Sequence, residues 1–173
     1  MQDTNNTQAV INSANEEMKN KYLTFWTDGQ IFGVPICDVV QIIGLQEITP
    51  VPEAPSYSKG IINLRGNIFP VIDVRLRFHK PEAEYDERTC IIVTNINNSY
   101  FGFIVDSVDE VTNIEESEIS PPPSLSITSS SYNAYLTGVG KLKDKVVLLL
   151  DTSKILSEEE FETVQRSIPP FAQ

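Results

Sequence analysis

Residues 59–78 read KGIINLRGNIFPVIDVRLRF. Two runs rich in isoleucine and valine flank Gly66-Asn67, a pair that accepts the backbone of a tight turn, so the stretch predicts a β-hairpin. Arg65 stands immediately before that turn. Pro70 has no backbone N–H, so its strand must be an edge or carry a bulge there.

Working toward the N-terminus, TPVPEAPSYS (49–58) places three prolines ahead of the hairpin and predicts a loop. Before it, YLTFWT and QIFGV flank Asp28-Gly29, a strong hairpin pattern because both turn positions favour positive φ, and DVVQIIGL continues as a third strand. Toward the C-terminus the same order returns. TCIIVTN and YFGFIVD flank Asn97-Asn98, SVDEVTNI follows, then a loop with Pro121, Pro122 and Pro123, then LTGVGKL and KVVLLLD. Gly33 aligns with Gly102 at a separation of 69 residues, and Gly60 with Gly138 and Asp73 with Asp151 at 78. Two cycles of hairpin, strand, Pro-rich loop and hairpin predict an all-β fold of two related five-stranded units. Each unit is too small for an open sheet with a covered face, which favours closure into a small barrel.

The expected organisation is a disordered tail over 1–20, a first barrel over 21–80, a second over 81–151, and a C-terminal helix and tail over 152–173. The tail is rich in Asn, Thr, Gln and Glu and has few large apolar groups. The helix is announced by Ser157 and Glu160 as a capping box, with Leu156 and Phe161 as its hydrophobic staple. Phe161, Val164 and Ile168 share one face, and Pro169-Pro170 ends the element.

Thirteen Lys+Arg against 24 Asp+Glu leave a formal charge of −11, which repels a phosphate backbone, so nucleic acid and anionic membrane are poor partners. The N-terminus lacks the pattern of a secretory signal, and the longest aliphatic run, VVLLL at 146–150, is far too short to span a bilayer. These features predict a soluble cytoplasmic protein. Cys37 and Cys90 sit among apolar residues without a CxxC pairing, and predict buried free thiols.

Chemistry is hard to find. His79 is the one histidine, so a zinc site lacks ligands and it reads as a surface loop residue. Ser124, Ser126, Ser129, Ser130 and Ser131 form a polar loop without a nucleophile elbow. Gly138-Val139-Gly140-Lys141 fails as a phosphate loop, because Tyr135 stands where the first glycine belongs and Leu142 where a magnesium-binding hydroxyl belongs. The acidic clusters VDEVTNIEESE and SEEEFE fall at expected loop or helix-start positions, where solvation or helix-dipole complementarity accounts for them. No catalytic residue, metal or cofactor is expected. Two similar barrels without an active site favour a binding or scaffolding task.

The run NLRG at Asn63-Leu64-Arg65-Gly66, with FGVPICDVVQIIG upstream and YLTGVGKLKDKVVLLLD downstream, resembles the CheW family of bacterial chemotaxis coupling proteins over about residues 20–160. The resemblance implies two SH3-like five-stranded barrels and a non-catalytic adaptor that couples the cytoplasmic tips of chemoreceptors to the regulatory domain of the histidine kinase CheA. It implies a receptor tip docked in the groove between the barrels, with contacts at Arg65 and Val39 and with Asn63, Leu64 and Gly66 holding the arginine's hairpin, and kinase contacts around Ile43, Gly44 and Leu45. Met1 and the short stretch after the last helix leave no room for a kinase or receiver domain, so a free-standing coupling protein is expected. Alternatives are a CheW-like coupler for a non-chemotaxis sensory array, or a small-ligand or enzymatic module using the cleft between barrels. The second cycle carries Lys143 at the place matching Arg65, so positive charge alone does not single out Arg65; its planar, multi-donor head does.

Overall fold

The computed structural model describes residues 16–122 and 135–167. Ile168, Pro169-Pro170 and the serines at 124, 126 and 129–131 lie outside the described residues. The strands are β1 (Lys21–Thr27), β2 (Gln30–Pro35), β3 (Val39–Gly44), β4 (Ser58–Leu64), β5 (Asn67–Asp73), β6 (Cys90–Ile96), β7 (Ser99–Val105), β8 (Ser107–Asn113), β9 (Ile119–Ser120), β10 (Leu136–Lys141) and β11 (Val146–Leu150). Among the described residues they are accompanied by the α-helices α1 (Val74–Arg77) and α2 (Glu158–Ser167).

The hairpins form where the local chemistry demands. Asp28-Gly29 and Asn97-Asn98 each adopt positive φ at both positions, 51° and 73° in the first and 51° and 64° in the second, the turn whose twist matches that of paired strands. How the hairpins combine is a non-local matter, and here the expected division at residue 80 is corrected. One sheet runs β8-β1-β2-β11-β10-β9 and the other β3-β6-β7-β5-β4. Each sheet therefore takes its opening hairpin from one cycle and its third strand and closing hairpin from the other. The exchange is reciprocal: Leu149 of β11 pairs with Gly33 of β2, and Val71 of β5 with Gly102 of β7, both in parallel ladders. The bulges repeat as well, between Ser58 and Gly60 on β4 and between Leu136 and Gly138 on β10. Pro70 has β4 on one side, and the ladder to β7 begins only at Val71, so its missing donor lies just outside that ladder.

The period of two along each strand sorts side chains into three cores. Ile62, Phe69, Val71, Ile91, Val93 and Ile104 fill one barrel, and Ile31, Ile114, Val147 and Leu149 fill the other. The largest cluster lies between the sheets and draws on both: Phe25, Phe32 and Leu150 from one, Ile72, Ile92, Phe101 and Phe103 from the other. Burying each such side chain stabilises by about 1.5–3 kcal/mol, so the shared core welds the barrels into one unit.

The chain end closes over this core. Glu160 N–H donates to Ser157 Oγ at 3.1 Å and Ser157 N–H to Glu160 Oε1 at 3.2 Å, the reciprocal capping pair the sequence announces. Leu156 and Val164 are buried in the shared core, and Phe161 packs its ring 4.9 Å from that of Phe101. Arg77 of α1 ties the two helices: its Nε donates to Ile155 O at 2.8 Å and its Nη2 meets Glu160 Oε1 at 3.1 Å. At the other end Asn20, expected in the tail, already accepts the Ile114 N–H at 2.8 Å.

Candidate functional site

The turn joining β4 to β5 is made by Arg65 and Gly66, with φ of 54° and 88°, and Leu64 pairs with Asn67. The expected Gly66-Asn67 turn is thus shifted by one residue, and Arg65 is part of the turn rather than its neighbour. The Asn63 side-chain oxygen accepts the Gly66 N–H at 2.8 Å, an Asx-type bond that holds the loop. Leu64 packs against the core of its barrel, while Asn63, Arg65 and Gly66 are exposed. Arg65 makes no ion pair or hydrogen bond among the described residues, so its guanidinium is free to meet a partner.

Val39 is on β3, where it pairs with Thr94 and packs, half-buried, against the shared core; β3 and β4 are the two ends of the strand order. Along β3 the three residues expected to meet a kinase divide. Ile43 is half-buried against the barrel core, whereas Gly44 and Leu45 are exposed. The sequence reading missed Val40 and Ile42, which are 51% and 41% exposed and stand two residues apart on an edge strand, with Leu45 exposed just beyond its end. Periodicity could have raised the question, since DVVQIIGL is apolar on both faces and only one face can enter a barrel core. The matching edge, β8, is dressed differently: Asp109 and Glu110 hold Lys145 Nζ at 3.1 and 3.0 Å. The VDEVTN part of the acidic cluster is strand, as the order of the second cycle predicts, rather than loop.

A cavity of about 490 Å³ opens where the sheets meet, lined by residues including Trp26, Asp73, Arg75, Glu84, Tyr85 and Asp106. Its inner charges are already committed to one another. Arg75 gives Nε and Nη2 to the two oxygens of Asp106 at 2.8 and 2.7 Å and Nη1 to Asp28 at 3.2 Å. Burial alone would raise the Asp106 carboxyl, but the Arg75 hydrogen bonds and the Asp28 N–H outweigh it and hold it below the usual carboxylate range. Tyr85 donates to the buried Asp73 at 2.7 Å, and burial together with that bond pushes its phenol upward. These contacts fasten Asp106, where the chain passes from β7 to β8, to α1 and to the first turn.

The remaining candidates are structural or lie at the surface. Gly138 to Lys141 belong to β10, and His79, exposed at φ 60°, follows α1. Cys37 is exposed and Cys90 half-buried, both free; the expectation that both are buried is corrected, because Cys37 falls on the short helical turn Ile36–Asp38 that leaves the sheet.

The fold and its surface define a class: a two-barrel all-β module with exchanged strands, whose outward features are an arginine-tipped hairpin and an apolar edge strand. The chain belongs to the CheW-like domain family, whose model matches residues 21–160. It is 35% identical over 155 residues to the chemotaxis protein CheW of Klebsiella aerogenes, covering 90% of this chain and 92% of that one. It is 32% identical to the chemotaxis protein CheW of Helicobacter pylori, covering 84% and 86%, and 26% identical to the protein FrzA of Myxococcus xanthus, covering 89% and 96%. Its structure is similar to the crystal structure of the scaffolding protein TtCheW from Thermoanaerobacter tengcongensis, with a TM-score of 0.73 and 33% identity over 82% of this chain and 94% of that one.

Proposed function

We propose that this chain is a non-catalytic cytoplasmic adaptor that couples the cytoplasmic tips of chemoreceptors to the histidine kinase CheA. The observation that carries the reading is the match of both barrels, NLRG hairpin included, to relatives named chemotaxis protein CheW. In the inter-sheet cavity Arg75 and Asp106 pair with each other and Asp73 accepts from Tyr85 and from the Leu76 N–H, which supports a structural role for these three charges and docking over catalysis.

Two surfaces divide the work. Arg65, held by Asn63, Leu64 and Gly66, meets the receptor tip, with Val39 contributing from β3. Gly44 and Leu45, joined by Val40 and Ile42, form the kinase-facing edge, and Ile43 anchors that edge to the barrel core. A planar guanidinium offers forked donors to a carboxylate or to helix-end carbonyls, which an ammonium does not reproduce.

The test is calorimetry against a recombinant receptor-tip fragment and the CheA regulatory domain. Loss of one charge-assisted contact costs about 1.5–3 kcal/mol, so Arg65→Ala weakens receptor binding roughly tenfold or more and spares kinase binding. Arg65→Lys does not restore it. Failure of the unaltered protein to bind either fragment overturns the proposal; unchanged receptor affinity in Arg65→Ala removes the role of Arg65 alone.

A further inference from the structure

We propose that Asn63 is the positioning residue for Arg65: by holding the Gly66 N–H it fixes the left-handed turn from which the guanidinium is offered to the partner. The inference rests on the reading of Arg65 as a receptor contact.

Three hairpin turns among the described residues have positive φ at both central positions. Their first residues are Asp28 at 51°, Asn97 at 51° and Arg65 at 54°. Aspartate and asparagine enter the left-handed region readily, because their short polar side chains bond to nearby backbone; arginine has no such compensation and is strained there. Strain of this kind persists only where the surroundings impose it, and an observed outlier of this sort points to a function. The imposing contact is the 2.8 Å bond from Gly66 N–H to Asn63 Oδ1.

Two internal comparisons isolate that bond. Asn95 stands at the same place before the Asn97-Asn98 turn and makes no such bond, in a turn whose own residues accept the conformation unaided. In the sister of the Arg65 hairpin the position matching Asn63 is Lys141, which has no acceptor, and Lys143 and Asp144 do not adopt positive φ. The clamp and the left-handed basic residue thus occur together or not at all. A turn released from the clamp can relax toward the sister's geometry, which redirects the Cα–Cβ bond of Arg65 and leaves the side chain to be ordered at the moment of binding.

The experiment is a double-mutant cycle read by calorimetry against a recombinant receptor-tip fragment, using the full chain as wild type, Asn63→Ala, Arg65→Ala and both together. Asn63→Ala weakens binding about fivefold in the Arg65 background, but changes it by less than about twofold once Arg65 is alanine, because the clamp then has nothing to position. Asn63→Asp, which keeps the acceptor, retains most of the affinity. Asn63→Lys, which copies the sister hairpin, behaves as Asn63→Ala and provides a second acceptor-free variant; because the site is exposed at a hairpin tip, each variant is first shown to melt cooperatively. If Arg65→Ala leaves receptor binding unaltered, the reading of Arg65 itself falls. If Arg65→Ala weakens binding while Asn63→Ala does nothing, or costs the same in both backgrounds, only the positioning role is overturned, and Asn63 is a bystander or a separate contact.

Discussion

Gly102 faces Val71 across the parallel ladder that joins β7 to β5, and a Cβ on the glycine would fall 2.8 Å from Val71 Cγ1 and 2.8 Å from Ile91 Cγ2. Gly33 repeats the arrangement in the other sheet, where a Cβ would meet Leu149 Cδ2 and Val147 Cγ1 at 3.1 Å each. These are the points at which a hairpin of one cycle is pressed against the closing hairpin of the other. Gly102→Ala is therefore expected to lower stability by about 1–3 kcal/mol through overpacking, and Gly33→Ala by less. Denaturant melts of both variants check this, and equal midpoints for Gly102→Ala and wild type contradict it.

Removal of the chain beyond Asp151 strips Ile155, Leu156 and Val164 from the shared core and uncovers Phe101. With about 1.5–3 kcal/mol attached to each buried side chain, the truncated protein melts far below the intact one or fails to fold. An unchanged melting temperature shows that α2 is dispensable.

Acid weakens the clasp between α1 and α2. Burial acts to raise the Glu160 carboxyl, but hydrogen bonds from the Ser157 backbone and hydroxyl and from Tyr57, together with the Arg77 charge, hold it below its ordinary value. The Tyr57 phenol, half-buried and bonded to Glu160 at 2.9 Å, is pushed up to about 12 by that burial and that bond. Because the folded Glu160 value lies below the unfolded one, its stabilisation is fully present above about pH 4.3 and is lost as pH falls through the folded value. Glu160→Gln is expected to cost about 1 kcal/mol at pH 7, a modest figure because the carboxylate is partly exposed, and the gap to wild type narrows as pH falls through the lowered folded value. A gap that stays constant from pH 7 to pH 3 contradicts this.

The apolar edge of β3 gives a separable variant. Ile42→Asp places a charge on the exposed edge without entering either barrel core, so on the proposed assignment it is expected to weaken CheA binding about tenfold or more while keeping receptor-tip binding and melting. Equal loss for both partners points instead to a disturbed fold.

Much of this protein was determined by the sequence alone, wherever a few neighbouring residues suffice. Asp28-Gly29 and Asn97-Asn98 select their turns by backbone preference, Ser157 and Glu160 cap α2 within one turn, and the spacing of Gly33, Gly60 and Asp73 with their counterparts shows the repeat. Tertiary structure decided the rest. Nothing local says that β2 takes β11 rather than β5 as its neighbour, because that choice depends on which hairpin buries Phe32 and Leu150 in a common core with Ile72 and Phe103. The same holds for the site. Whether Val40 and Ile42 point to water, and whether Arg65 sits beside its turn or inside it, depends on one-residue register choices that reverse every side chain of a strand, and only the packed cores settle the register.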